Sequence, residues 1–268
     1  MIFRERAAET WRIRYGTEPP PAVEGLDRLL AHRSVRRFTD QPVDEATVQW
    51  LVAAAQSAAT SSNLQLYSII SVQDPERRKA VNALCANQVQ VDQAAWFFGF
   101  FADHYRIARA SAEQGSPATG LDFAENFIVA TVDAALAAER MVCAAEALGL
   151  GICYIGAMRN EPEQLAEVLD LPEGVFGLFG LCIGWPDPAV DAEIKPRLAQ
   201  ESVWFRERYD REASVADYDA RMMELYQKQG LKGDFTWTMR SGHRLTPERM
   251  SGRDRLKGIL EGLGFWRR

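Results

Sequence analysis

The chain of 268 residues lacks most of what a crosslinked, metal-bound or membrane-spanning protein is built from. Its four cysteines, Cys85, Cys143, Cys153 and Cys182, show no C-x-x-C spacing and stand among apolar neighbours. They read as reduced core thiols of a cytoplasmic protein. Three histidines, His32, His104 and His243, have no paired ligand spacing, which argues against a structural zinc site. No apolar run approaches the length of a membrane span, and the opening MIFRERAAETWRIR has no continuous apolar stretch of the kind a secretory signal needs. Positive charge is also scarce: 31 Lys and Arg stand against 37 Asp and Glu, for a net charge of -6. A general polyanion binder needs a broad basic face, so neither nucleic acid nor a membrane is expected as a partner.

What is present is a globular composition, 47% hydrophobic, at a length that one large core with appendages can organise. Residues 1–21 end in Pro19-Pro20-Pro21 and read as an N-terminal extension, with the fold proper starting near Val23. A core over 22–198 and a C-terminal extension over 199–268 follow. Leu26, Leu29 and Leu30 have helical spacing up to His32, after which the chain is expected to run extended toward Pro42. Asp44 is a good N-cap for a helix that presents Val48, Leu51, Val52 and Ala55 on one face. YSIISV at 67–72, WFFGFFA at 96–102, Ile152–Ile155 and VFGLFGLCI at 175–183 read as strands, with a short helix around 75–83.

The segment 122–148 is alanine-rich and apolar almost all round, so it must be buried in a core or against a second subunit. Helices are expected over 161–169 and 217–228. Between Arg240 and Arg268, eight Lys or Arg face three Asp or Glu, a local excess of five positive charges in an acidic chain.

Two short stretches far apart in sequence seek an anion: His32-Arg33-Ser34-Val35-Arg36-Arg37, and Lys195-Pro196-Arg197. Forked guanidinium donors, a hydroxyl and a point charge together suit one phosphate monoester, as in flavin mononucleotide (FMN). Binding a flavin also requires hydrogen-bond partners for its pyrimidine edge and an open ring face. Thr60, Ser61 and Ser62 offer hydroxyls at a turn, and Gln88 offers an amide that both donates and accepts. Tyr154-Ile155-Gly156-Ala157 ends a strand in small residues that let backbone approach a planar ligand.

Taken together, HRSVRRFTDQPV at 32–43, TSSNLQ at 60–65, Gln88, AAEALGLGICYIGAMRN at 144–160, LFGLCIGWP at 178–186 and KPRL at 195–198 resemble the nitroreductase superfamily. The branch they resemble is that of NADPH-dependent flavin reductases and major oxygen-insensitive nitroreductases. The resemblance implies an α+β fold with a central, mostly antiparallel sheet flanked by helices, in a domain-swapped homodimer wrapped by the segment 199–268. FMN is then expected at the dimer interface. His32, Arg33, Ser34, Val35 and Arg36 would meet its phosphate and ribityl chain, with Lys195 and Arg197 completing the phosphate contacts. Thr60, Ser61 and Ser62 would flank the ring, Gln88 would meet its pyrimidine edge, and Tyr154, Ile155, Gly156 and Ala157 would line its other side.

The implied activity is ping-pong two-electron transfer from NADPH or NADH to nitroaromatics, quinones or free flavins. The alternatives are an NADH-preferring reductase of another acceptor and a non-catalytic FMN carrier. The segment 230–237 lacks the arginine pair found in the relatives, which leaves Lys232, Arg240 and Arg244 as candidates for the NADPH 2′-phosphate. Asn63 stands where an aromatic is common.

Overall fold

The computed structural model describes residues 2–21, 26–190, 192–231 and 233–268. The expected start of the body near Val23, the boundary at residue 22 and the candidate Lys232 lie outside the described residues. In chain order the helices are α1 (Ile2–Tyr15), α2 (Asp27–Leu30), α3 (Glu45–Gln56), α4 (Pro75–Leu84), α5 (Val89–Gln93), α6 (Tyr105–Glu113), α7 (Ala124–Ala147), α8 (Pro162–Leu169), α9 (Ala216–Lys228), α10 (Trp237–Arg244) and α11 (Leu256–Gly262). The strands are β1 (Tyr67–Ser71), β2 (Trp96–Asp103), β3 (Gly151–Ile155) and β4 (Val175–Gly184). Contacts divide the chain into two units, one made of 1–33 and 193–250, the other of 34–192 and 251–268.

The second unit is built on one antiparallel sheet of order β1-β2-β4-β3. The sequence of β2 dictates that it is covered on both sides. Phe98 and Phe100 join the cluster formed with α3 and α7, while Phe97 and Phe101 join the cluster with α4 and α8. Alternation along a pleated strand sends successive side chains to opposite faces, so four phenylalanines serve two cores. The register slips by a bulge between Phe100 and Phe101. Glycines on β4 make room for these rings: a Cβ on Gly180 would lie 2.5 Å from Phe97 Cζ.

The expected cap at Asp44 is formed, its carboxylate accepting from the Thr47 N–H at 2.8 Å. Helix α7 buries Val129, Ala130, Ala134, Ala137 and Met141 against the sheet, yet leaves Ile128, Val132 and Leu136 exposed at a spacing of four. Its apolar character on all sides thus resolves into one face toward this core and one stripe toward the outside.

Residues 251–268 pack on the same unit. Phe265 is fully buried with its ring 4.5 Å from His104 and 5.3 Å from Phe127. The basic tail finds acidic partners there: Arg267 pairs with Glu173 at 3.0 Å and Arg268 with Asp122 at 3.1 Å.

In the first unit the N-terminal extension, for which no element was expected, carries the helix α1 over Ile2–Tyr15, which packs on α2. The helix expected from Leu26 to His32 is only the single turn of α2. In α9, Tyr218 and Met222 are buried, and Tyr218 meets the Trp237 ring edge-on at 5.3 Å. Among the described residues no helix is long and apolar enough to cross a membrane.

Candidate functional site

The second unit carries Ser34, Val35 and Arg36 on an extended stretch, as its sequence predicts. Ser34 bridges to Ile152 of β3, and the Val35 N–H donates to the Ile152 carbonyl at 2.8 Å. Val35 is buried against Gly151, where a Cβ would meet Val35 Cγ2 at 2.7 Å. The close approach therefore requires glycine. Arg36 is exposed, and among the described residues its side chain makes no hydrogen bond or ion pair. Arg37 donates to the Arg36 carbonyl at 2.9 Å.

Thr60, Ser61 and Ser62 lie at the expected turn between α3 and β1, with a single 3₁₀ turn over Ser61–Asn63. The turn is tightly bent: Ser62, Asn63 and Gln65 adopt φ of 48°, 56° and 52°. Such left-handed backbone is uncommon outside glycine and persists where surroundings hold it. The holder is Asp133 of α7, fully buried, whose Oδ1 accepts from the Ser61 N–H at 2.9 Å and whose Oδ2 faces the Leu66 N–H at 3.4 Å. Among the described residues the hydroxyls of Thr60, Ser61 and Ser62 have no protein partner.

Gln88 is half-buried, and half of its amide's hydrogen-bonding capacity is already engaged. Its Nε2 donates to the Cys85 carbonyl at 3.0 Å, and its Oε1 accepts from Gln90 Nε2 at 2.7 Å. Asn82 clasps its backbone, accepting from the Gln88 N–H at 2.8 Å and donating to its carbonyl at 3.1 Å. One N–H of Nε2 and one lone pair of Oε1 remain for a ligand.

Tyr154 is 37% exposed, packs edge-on against Phe179 at 5.5 Å and donates its hydroxyl to Glu139 at 3.3 Å. Burial, then the Glu139 charge, raises its pKa far above the ordinary phenol value. It stays protonated and is not a base. Ile155 is buried, and Gly156 and Ala157 open a 3₁₀ turn that ends at Arg159. An added Cβ on Gly156 would meet only Arg159 Nη2 at 3.6 Å, so space lies open beside it.

The first unit carries His32, Arg33, Lys195 and Arg197. The Arg33, Lys195 and Arg197 side chains are exposed and His32 is half-buried. What gathers them is Arg14 of α1, only 4% exposed. Its Nε donates to the Leu30 carbonyl at 2.7 Å, its Nη2 to the His32 carbonyl at 2.6 Å and its Nη1 to the Lys195 carbonyl at 3.1 Å. In return the Arg14 carbonyl accepts from the Arg197 N–H at 2.7 Å. Arg240 stacks over Tyr226 at 4.7 Å, and Arg244 donates to the Arg249 carbonyl at 2.5 Å, so both already have partners in this unit.

The sequence reading missed Arg14 and Asp133. A lone carboxylate in the alanine-rich run TVDAALAA was the available signal for Asp133. Nothing marked Arg14, because the acceptors it meets here are backbone carbonyls as far as 181 residues away.

A buried antiparallel sheet held between two helical layers defines an α+β protein. The model of the nitroreductase family matches residues 29–185, and that of the same family's C-terminal domain matches 195–268. The chain therefore belongs to the nitroreductase family. It is 40% identical over 220 residues to the FMN reductase (NADPH) of Bacillus subtilis, covering 80% of this chain and 88% of that one. It is 41% identical over 207 residues to the oxygen-insensitive NADPH nitroreductase of Salmonella typhimurium, covering 76% and 83%. Among solved structures, the NfrA1 nitroreductase from B. subtilis superposes with a TM-score of 0.82 at 36% identity, covering 91% of this chain and 99% of that one. The NADPH:FMN oxidoreductase from Vibrio harveyi complexed with NAD+ superposes with a TM-score of 0.80 at 33% identity, covering 91% and 99%.

Proposed function

We propose that the chain is an FMN-dependent NAD(P)H oxidoreductase that passes two electrons to nitroaromatics, quinones or free flavins. The observation that carries this reading is the pairing, on one Arg14 guanidinium, of the main chains of His32 and Lys195, two ends of the cation set. The donors suit the group. In the first unit Arg33, Lys195 and Arg197 supply the charge that a phosphate monoester needs, and His32 a ring nitrogen beside them in sequence. In the second, Ser34, Val35 and Arg36 offer a hydroxyl, backbone and an exposed guanidinium, Thr60, Ser61 and Ser62 present hydroxyls that have no protein partner among the described residues, and Gln88 retains one donor and one acceptor.

Bound FMN supplies the hydride-accepting and hydride-donating chemistry. The chain contributes binding and orientation. Asp133 fixes the turn that carries the hydroxyls, and Val35 on Ile152 fixes the stretch that carries Ser34 and Arg36. Tyr154, Ile155, Gly156 and Ala157 leave room for a flat ring, and the protonated Tyr154 holds Glu139 rather than exchanging a proton. No side chain is assigned as an acid or base.

The exposed stripe Ile128, Val132 and Leu136 fits a second copy of this chain, with FMN at the interface and the C-terminal segments exchanged. The protein is expected to work in the cytoplasm, where reduced nicotinamides are available.

The test is direct. Purified protein reconstituted with FMN and mixed without oxygen with NADPH, then NADH, should lose its yellow colour with at least one donor. Colour that persists with both removes the enzyme reading and leaves the FMN carrier. Protein that stays colourless after FMN is added removes the cofactor as well.

A further inference from the structure

We propose that Arg14 is a positioning residue for the phosphate of FMN, acting from an N-terminal helix that lies outside the span matched by the family model. This inference rests on the FMN reading above and deepens it.

The geometry is a fork with one backbone acceptor for each nitrogen. Nε holds Leu30, Nη2 holds His32 and Nη1 holds Lys195. Two of those three carbonyls belong to residues whose own side chains serve the phosphate. Arg33 follows the one, and Arg197 stands two residues past the other. The clasp is doubled through the main chain: the Arg197 N–H donates to the Arg14 carbonyl at 2.7 Å, and Arg221 donates to the Arg14 carbonyl at 2.7 Å and to the Arg197 carbonyl at 3.0 Å.

Electrostatics makes such a clasp necessary. Arg33 and Arg197 carry like charge on the two loops, and loops free to move apart would lower that repulsion by separating. A planar guanidinium sharing its donors among backbone carbonyls holds both loops without consuming a side chain of the anion site. Its burial at 4% exposure keeps water from competing for those carbonyls. Lysine offers a point charge on a flexible stem and cannot reproduce the three-way fork.

The experiment compares FMN with riboflavin, which lacks only the phosphate, in full-length protein stripped of flavin, by fluorescence titration. Wild type should favour FMN strongly. Arg14→Gln should cut the FMN affinity by about tenfold or more, the scale of one lost charge-assisted contact, while the riboflavin affinity stays within about twofold. Arg14→Lys should behave like Arg14→Gln. If either folded variant keeps the wild-type preference for FMN, or if both ligands weaken together, the proposal is overturned. Should neither Arg14 variant fold, Arg221→Gln decides by the same ratio, since it removes the donors that tie the Arg14 and Arg197 carbonyls together and leaves the Arg14 guanidinium in place. A wild type that binds riboflavin as tightly as FMN would instead discard the phosphate contacts themselves, a failure of the reading beneath rather than of the clasp.

Discussion

The carboxylate of Asp133, in the middle of α7 and wholly shielded from solvent, accepts the backbone N–H of Ser61 at 2.9 Å across 72 residues of sequence. It holds a turn in which Ser62, Asn63 and Gln65 all occupy left-handed backbone. Asp133→Ala leaves the Ser61 and Leu66 N–H groups without their acceptor. The expected cost is about 1–3 kcal/mol of stability, set mainly by the buried Leu66 N–H left unpaired. Urea unfolding measures that cost, and hydrogen exchange over 60–66 should speed up in the variant by more than exchange in β2. Uniform acceleration across both would contradict a local role.

Arg36 provides the opposite case. Exposed and unpartnered among the described residues, it contributes little to the fold. Arg36→Ala should leave the unfolding free energy within about 0.5 kcal/mol of wild type. It should nonetheless release FMN, with a loss of affinity of about tenfold or more for one charge-assisted contact. Flavin content after gel filtration, read beside the melting temperature, separates the two effects. Unchanged flavin content would remove Arg36 from the site.

At Gly151 the backbone itself forms the contact. An alanine there would place its Cβ 2.7 Å from Val35 Cγ2 and 3.0 Å from Pro186 Cγ. Overpacking of this kind costs about 1–3 kcal/mol. Because Val35 carries the stretch that holds Ser34 and Arg36, Gly151→Ala should weaken FMN binding as well as stability. Thermal melting with and without FMN measures both. A variant with wild-type melting would mean that the stretch yields without cost.

How much of this was legible follows from the kind of interaction involved. The strands could be read because β2 and β4 are apolar on both faces, so WFFGFFA and VFGLFGLCI leave no other economical burial. Asp44 could be read because a cap acts within one turn. The segments carrying His32 to Arg36, Thr60 to Ser62, Tyr154 to Ala157 and Lys195 to Arg197 were proposed from residue type and from position at element ends. What holds them did not. Asp133 acts through backbone N–H groups and Arg14 through backbone carbonyls, and such partners have no side-chain signature at either end. Helix α1 was hidden because its apolar residues have no regular period. The excess charge of the basic tail had no visible counterpart because Glu173 and Asp122, the partners of Arg267 and Arg268, are distant in sequence.

His104 links this buried architecture to pH. Its ring lies 4.5 Å from Phe265, and its Nε2 is 3.1 Å from the Asn126 carbonyl. Burial, the largest influence, lowers its pKa, although the Asn126 carbonyl and the charge of Asp103 oppose the shift. In the unfolded chain the imidazole titrates near its ordinary value of about 6.5. Above that pH it is neutral in both states and its contribution is fully present. As the pH falls from about 6.5 toward the lower folded value, the unfolded chain takes up a proton that the folded chain refuses, and stability declines. The melting temperature of wild type should therefore drop between about pH 7.5 and about pH 5.5, and His104→Gln, which does not titrate there, should drop less. Differential scanning calorimetry at the two values checks the difference in slope, which is independent of whatever the substitution costs at either pH. Parallel slopes would show that the protonation of His104 is not coupled to folding.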